Sequence, residues 1–197
     1  MADTATASVR LPARQRRQQL LDVALGVFSR LGYHETSMNA LASEAGVTKP
    51  VLYQHFASKH DLFRELLAQT GDRLLTAISE QAHSLDTPRQ RVEAGFRAFF
   101  DFFDEHPDAF GVLYGSSLGS DPSFREEARR VQDNFAEYVS RLIKVTDHDD
   151  AVAMASGING LSEGMIRHWM HHGRSRPAAE MAALTARLAW GGLERLA

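Results

Sequence analysis

Apolar residues recur at spacings of three and four along almost the whole chain, and the strict alternation that half-buried strands require is hardly found. The pattern predicts an all-α protein of about nine helices, over roughly 13–31, 37–45, 48–56, 58–84, 88–105, 107–118, 122–146, 149–172 and 177–195. Prolines agree with these starts. Pro88, Pro107, Pro122 and Pro177 each stand where a helix can begin, because a first turn has no use for the N–H that proline lacks. Thr87, Pro88 and Gln90 together spell a cap, a first helical residue and the returning partner of a capping box. No repeat, low-complexity tract or long linker separates the segments. The expected organisation is an arm over 1–12 without fixed structure, a small three-helix unit over 13–57 and a helical body over 58–197 packed directly on it.

The stretch Thr36 to Phe63, TSMNALASEAGVTKPVLYQHFASKHDLF, has the grammar of a helix-turn-helix. Gly46 supplies the positive φ that a sharp exit from a helix needs, and Thr48 is placed to cap the next one. Leu41, Ala42, Ala45 and Val47, with Leu52 and Phe56, would form the small core that fixes the crossing of the two helices. Leu20, Leu21, Ala24, Leu25 and Phe28 on the preceding helix close its third side. On a wheel of the second helix, Leu52 and Phe56 define the buried side and leave Pro50, Val51 and Gln54 roughly opposite, with Lys49 at the start. Gln54 offers the donor and acceptor that adenine requires, Lys49 can donate to guanine, and Val51 or Pro50 can pack on a thymine methyl. Thr36, Ser37, Tyr53, His55 and Lys59 flank them as donors suited to phosphate.

Charge sharpens this picture. The net charge of −3 does not mark a nucleic-acid binder, but residues 1–64 carry eight Lys and Arg against five Asp and Glu, so the positive balance lies in the first third. Arg14, Arg16 and Arg17 can add a sequence-blind attraction to the backbone. With no cysteine there are no disulfides, no thiolate chemistry and no cysteine-based zinc site. The start of the chain lacks the apolar run of a signal peptide, and no later run approaches membrane-spanning length. The expectation is a cytoplasmic protein that meets no membrane.

The segment GVTKPVLYQHFASKHDLF, preceded by GYHETSMNALASEA, resembles the N-terminal DNA-binding signature of the TetR family of transcriptional regulators, over about 50 residues from near Arg14 to Phe63. The resemblance implies that Ser37, Tyr53, His55 and Lys59 contact phosphates, and that Asn39, Lys49, Pro50, Val51 and Gln54 lie where the family reads bases. It implies a ligand-responsive repressor that holds double-stranded DNA at a palindromic operator and leaves it when a small-molecule inducer enters the helical body.

Within that body, Phe96, Phe99, Phe100, Phe103, Phe110 and Tyr114 form an aromatic-rich region that serves as either core or pocket, and as a pocket would suit an apolar or aromatic ligand. Ala153, Gly157, Gly160 and Gly164 permit close helix approach, either within the chain or to a second copy, and the final helix offers Leu184 and Leu188. By the resemblance, the last two helices pair with their copies as a homodimer, which matches a two-fold operator. The rival reading is a metal-dependent all-helical enzyme or carrier with a vestigial helix-turn-helix. Its support is the spacing of Glu80 with His83 and of His168 with His172. A di-iron site needs a second Glu-x-x-His, which the chain lacks, and no phosphate loop or nucleophile elbow is present. No cofactor, metal or catalytic residue is therefore assigned.

Overall fold

Local signals set the helix ends. In the computed structural model, which describes residues 12–83, 85–143 and 147–193, the helices are α1 (Ala13–Glu35), α2 (Met38–Glu44), α3 (Lys49–His55), α4 (Lys59–His83), α5 (Pro88–Glu105), α6 (Asp108–Leu113), α7 (Pro122–Ser140), α8 (His148–His171) and α9 (Ala178–Leu193). A short 3₁₀ turn, Ser116–Ser120, lies between α6 and α7. Among the described residues there is no strand, and no helix is long and apolar enough to cross a membrane. The expected arm lies almost entirely outside the described residues.

The capping box forms as the sequence predicts: the Gln90 amide donates to Thr87 Oγ1 at 3.3 Å, and the Thr87 amide donates to Gln90 Oε1 at 3.2 Å. Pro88 and Pro122 open α5 and α7, and Pro107 is the residue before α6. Three segments depart from expectation, the first being that over 122–146, whose helix ends at Ser140, with 144–146 outside the described residues. Helix α1 extends past residue 31 but breaks its geometry at Gly32, where φ is 74°. The segment expected as one helix over 107–118 ends at Leu113 and bends at Gly115, where a Cβ would stand 2.0 Å from the carbonyl oxygen of Gly111. Only a glycine tolerates that approach.

One hydrophobic core runs through the molecule, from Leu20 and Phe28 of α1 to Met181 and Ala186 of α9. Helix α5 packs against both α4 and α9, α7 packs against α4 and α8, and α1 packs along α6. At the α1–α6 crossing, a Cβ on Gly111 would lie 3.2 Å from the Cα of Ser29, so the backbones approach closely. Tyr33, Phe63 and Phe124 meet with centroids 4.7 to 5.2 Å apart, tying α1, α4 and α7 into one aromatic knot. Burial of such side chains contributes roughly 1.5–3 kcal/mol each. The small N-terminal unit is thereby fused to the body rather than tethered to it.

Candidate nucleic-acid interface and interior cleft

Helix α2 starts at Ser37, whose Oγ accepts from the Ala40 amide at 3.1 Å. It ends at a turn in which Gly46 adopts φ 64° and the Val47 amide donates to the Ala42 carbonyl at 3.0 Å. Thr48 precedes α3 in extended geometry, and its side chain makes no cap bond; its carbonyl instead accepts from the Val51 and Leu52 amides. Leu41, Leu52 and Phe56 are each 2% exposed or less and fix the two helices together. The opposite face of α3 is open: Lys49, Pro50, Tyr53 and Gln54 are exposed, and Val51 and His55 are half-buried. Ser37 and Asn39 are exposed beside it on α2. Lys49 Nζ lies 5.9 Å from the centroid of the Tyr53 ring, so the two stand side by side on this face.

Two of the residues expected to meet phosphate are engaged inside the protein. Thr36 is 2% exposed, and its hydroxyl donates to the Gly32 carbonyl at 2.7 Å. Lys59 Nζ donates to the carbonyls of Tyr33 and Thr36, each at 2.7 Å, and lies 4.3 Å from the Tyr33 ring centroid. It therefore caps the frayed carbonyls that the break at Gly32 leaves at the end of α1. Burial holds the Lys59 ammonium below the ordinary lysine value, with Glu35 acting in the opposite direction. Arg17, expected to face the DNA backbone, is turned inward as well. Its guanidinium grips Glu65 with two nitrogens, donates to the His55 carbonyl and lies 4.3 Å over the Phe56 ring. It is a strut joining α1, α3 and α4.

A second polar group, which sequence reading did not single out, sits where α4 leaves the helix-turn-helix. His60 Nε2 is 2.7 Å from Ser123 Oγ, and both the hydroxyl and the amide of Ser123 donate to Asp121. Those two bonds, with help from His60, hold the Asp121 carboxyl below the usual carboxylate range. The pairing links the start of α4 to the start of α7; no spacing rule marks it, because 63 residues separate the partners.

Further along the same two helices lies an interior cleft. Leu67, Gly71, Leu74 and Leu75 of α4 form one wall, and Ala128, Val131, Gln132 and Phe135 of α7 the other. Phe99, Leu113, Tyr114 and Asn159 close the ends. In this conformation it encloses about 30 Å³, room for about one or two waters. A Cβ on Gly71 would stand 2.6 Å from both Val131 methyls, so α7 rests on the bare backbone of α4. Of the six aromatic residues expected at a pocket, Phe99 and Tyr114 line this cleft. Phe96, Phe100 and Phe103 are core instead, because α5 is wedged between α4 and α9; Phe100, for example, packs on Trp169 at 5.6 Å. Phe110 is half-buried against Tyr114 and His171.

The small residues of α8 resolve in one direction. Ala153, Gly157, Gly160 and Gly164 are exposed, and a Cβ on any of these glycines would meet nothing within 4 Å. The stripe is therefore not pressed against α9. Leu188 on α9 is 55% exposed and Leu184 half-buried. Glu80 and His83 are exposed near the end of α4, while His168 and His172 stack with centroids 4.1 Å apart at the end of α8. Among the described residues no three histidines or carboxylates gather as a metal site.

Comparison with known proteins follows this division. Residues 20–66 match the family model of bacterial regulatory proteins of the tetR family, and residues 88–192 match that of the tetracyclin repressor-like C-terminal domain. The chain is 31% identical over 190 residues to the HTH-type transcriptional activator FasR of Mycolicibacterium smegmatis, covering 95% of this chain and 87% of that protein. A TetR-like transcriptional regulator from Rhodococcus sp. RHA1 superposes with a TM-score of 0.78 at 30% identity, covering 94% of this chain and 99% of that one. The regulator FadR from Bacillus subtilis, solved in complex with stearoyl-CoA, shares the fold with a TM-score of 0.77 at 15% identity, over 87% and 96% of the two chains.

Proposed function

The chain belongs to the TetR family and is a DNA-binding transcriptional regulator, and from that premise we propose that it works as a homodimer on an inverted-repeat operator, with a ligand between α4 and α7 governing release. The observation that carries the DNA half is the face of α3, where Lys49, Pro50, Tyr53 and Gln54 are exposed while Leu52 and Phe56 lock the helix from behind. Gln54, Lys49 and Asn39 read base edges, Pro50 and Val51 pack on them, and Ser37, Tyr53 and His55 position the backbone. A contact from Lys59 to phosphate requires it to give up the carbonyls of Tyr33 and Thr36 at the end of α1. Whether occupancy represses or activates follows from where the operator lies relative to the promoter.

The ligand half is supported by the apolar walls of the cleft and by the link from its helices to the DNA unit. A guest that lifts α7 from Gly71 also acts on the pair His60 and Ser123, at the point where α4 meets the helix-turn-helix. Release then needs only that the ligand prefer the conformation whose recognition helices no longer match the operator spacing. The stearoyl-CoA held by the fold relative FadR makes a long apolar chain a reasonable guest for such a site.

Selection of bound duplexes from a random pool, followed by titration in varied salt, tests the DNA reading. Gln54→Ala is expected to shift the preferred bases and cost about 1–3 kcal/mol on the wild-type site. If the Gln54→Ala and Lys49→Ala proteins select the same sequence as the wild type with the same affinity, α3 is not the reading helix.

A further inference from the structure

We propose that the cleft between α4 and α7 selects a chain-like apolar ligand whose buried polar group is uncharged, such as an ester, thioester or alcohol, and discriminates against the free carboxylate. The inference rests on the reading of that cleft as the ligand site and adds the chemistry of the guest. Its walls contain no charged side chain: Tyr114, Gln132 and Asn159 alone among the lining residues carry hydrogen-bonding side-chain atoms. Among the described residues neither the Gln132 nor the Asn159 carboxamide is engaged in a side-chain hydrogen bond. The nearby cation is already paired, since Arg167 donates to Glu163 at 2.8 Å along α8.

A carboxylate in such a place loses its hydration and finds no positive charge among the lining residues, so it either stays outside or takes up a proton. An ester carbonyl or a hydroxyl needs only one or two neutral hydrogen bonds, which a phenol and two carboxamides supply. The Tyr114 phenol is well suited to donate. Burial, reinforced by Glu163, pushes its ionisation far above the ordinary tyrosine value, with Arg167 acting in the opposite direction, so it keeps its proton.

Calorimetric titration of the full chain with dodecanoate, methyl dodecanoate and 1-dodecanol, each below its aggregation threshold and at about pH 8 where the acid is ionised, tests this. The ester and the alcohol are expected to bind at least about tenfold more tightly than the acid. Lowering the pH should raise the affinity for the acid and leave that for the ester unchanged. Asn159→Lys, which puts a cation at the cleft, is expected to invert the order in favour of dodecanoate. Dodecanoate binding the wild type as tightly as the ester would overturn the inference while leaving the cleft a ligand site. If none of the three probes binds or shifts melting, the reading of the cleft itself falls, and the inference falls with it.

Discussion

Lys59 shows how one side chain changes meaning when its surroundings are known. Its position in the signature implies a phosphate contact, yet its ammonium closes the end of α1, with carbonyls of Tyr33 and Thr36 at 2.7 Å and His34 at 3.4 Å. A charged donor on backbone carbonyls contributes more than a neutral bond, and its loss uncovers oxygens that have no other helical partner. Lys59→Met is therefore expected to destabilise the protein by about 1–2 kcal/mol, read as a lower midpoint in thermal or urea unfolding. The same substitution should leave the slope of log affinity against log salt on operator DNA close to that of the wild type. Lys49→Ala is the contrasting case. Lys49 is exposed at the start of α3, so its removal should spare the midpoint. A slope shallower than that of the wild type by about 0.9 in Lys59→Met would assign Lys59 to the phosphate after all.

Helix by helix, the pattern of apolar positions was enough to find each of the nine helical segments among the described residues, because each carries its own period and most carry a proline or a cap at the start. The exceptions are instructive. Gly32 and Gly115 interrupt segments whose periodicity runs on: Gly32 turns the chain at a positive φ, and at Gly115 a Cβ would collide with the Gly111 carbonyl, and no spacing of apolar residues reveals either. The exposed face of α3 was legible because Leu52 and Phe56 must be inside, so their opposites face out. The cleft was not legible. An apolar side chain lining a cavity and one filling a core leave the same trace, and the walls come from α4 and α7, with some 60 residues between Gly71 and Val131. That pair offers a test of how closely the two helices are matched. Val131 is stiff about χ1, so a methyl on Gly71 cannot be accommodated by rotating it away. Gly71→Ala is expected to cost about 1–3 kcal/mol in unfolding experiments despite the better helix propensity of alanine. Adding Val131→Ala should recover part of that loss, and a strictly additive double mutant would show that the contact is not the cause.

The proposed homodimer depends on a face that the single chain leaves bare. One recognition helix reads only a few base pairs, so a single copy has little with which to tell an operator from bulk DNA, whereas a fixed pair reads two half-sites about one helical turn apart. The stripe Ala153, Gly157, Gly160 and Gly164 is exposed, no side chain among the described residues uses the space above its glycines, and Leu188 stands exposed on the neighbouring helix. Glycine costs about 1 kcal/mol within a helix relative to alanine. Three of them on one exposed face are best accounted for by a second helix that approaches too closely for a side chain. Gly160→Arg and Leu188→Glu should then convert a dimer into a monomer in sedimentation experiments while helical circular dichroism is retained. Affinity for a full inverted repeat should fall by about a hundredfold, and affinity for an isolated half-site much less. The two measurements separate the causes: a folded monomer that still holds the half-site has lost its partner and not its reading head. Should both variants sediment as dimers, the copies meet elsewhere, and the spacing of half-sites that the operator presents would have to be set by a different pair of surfaces.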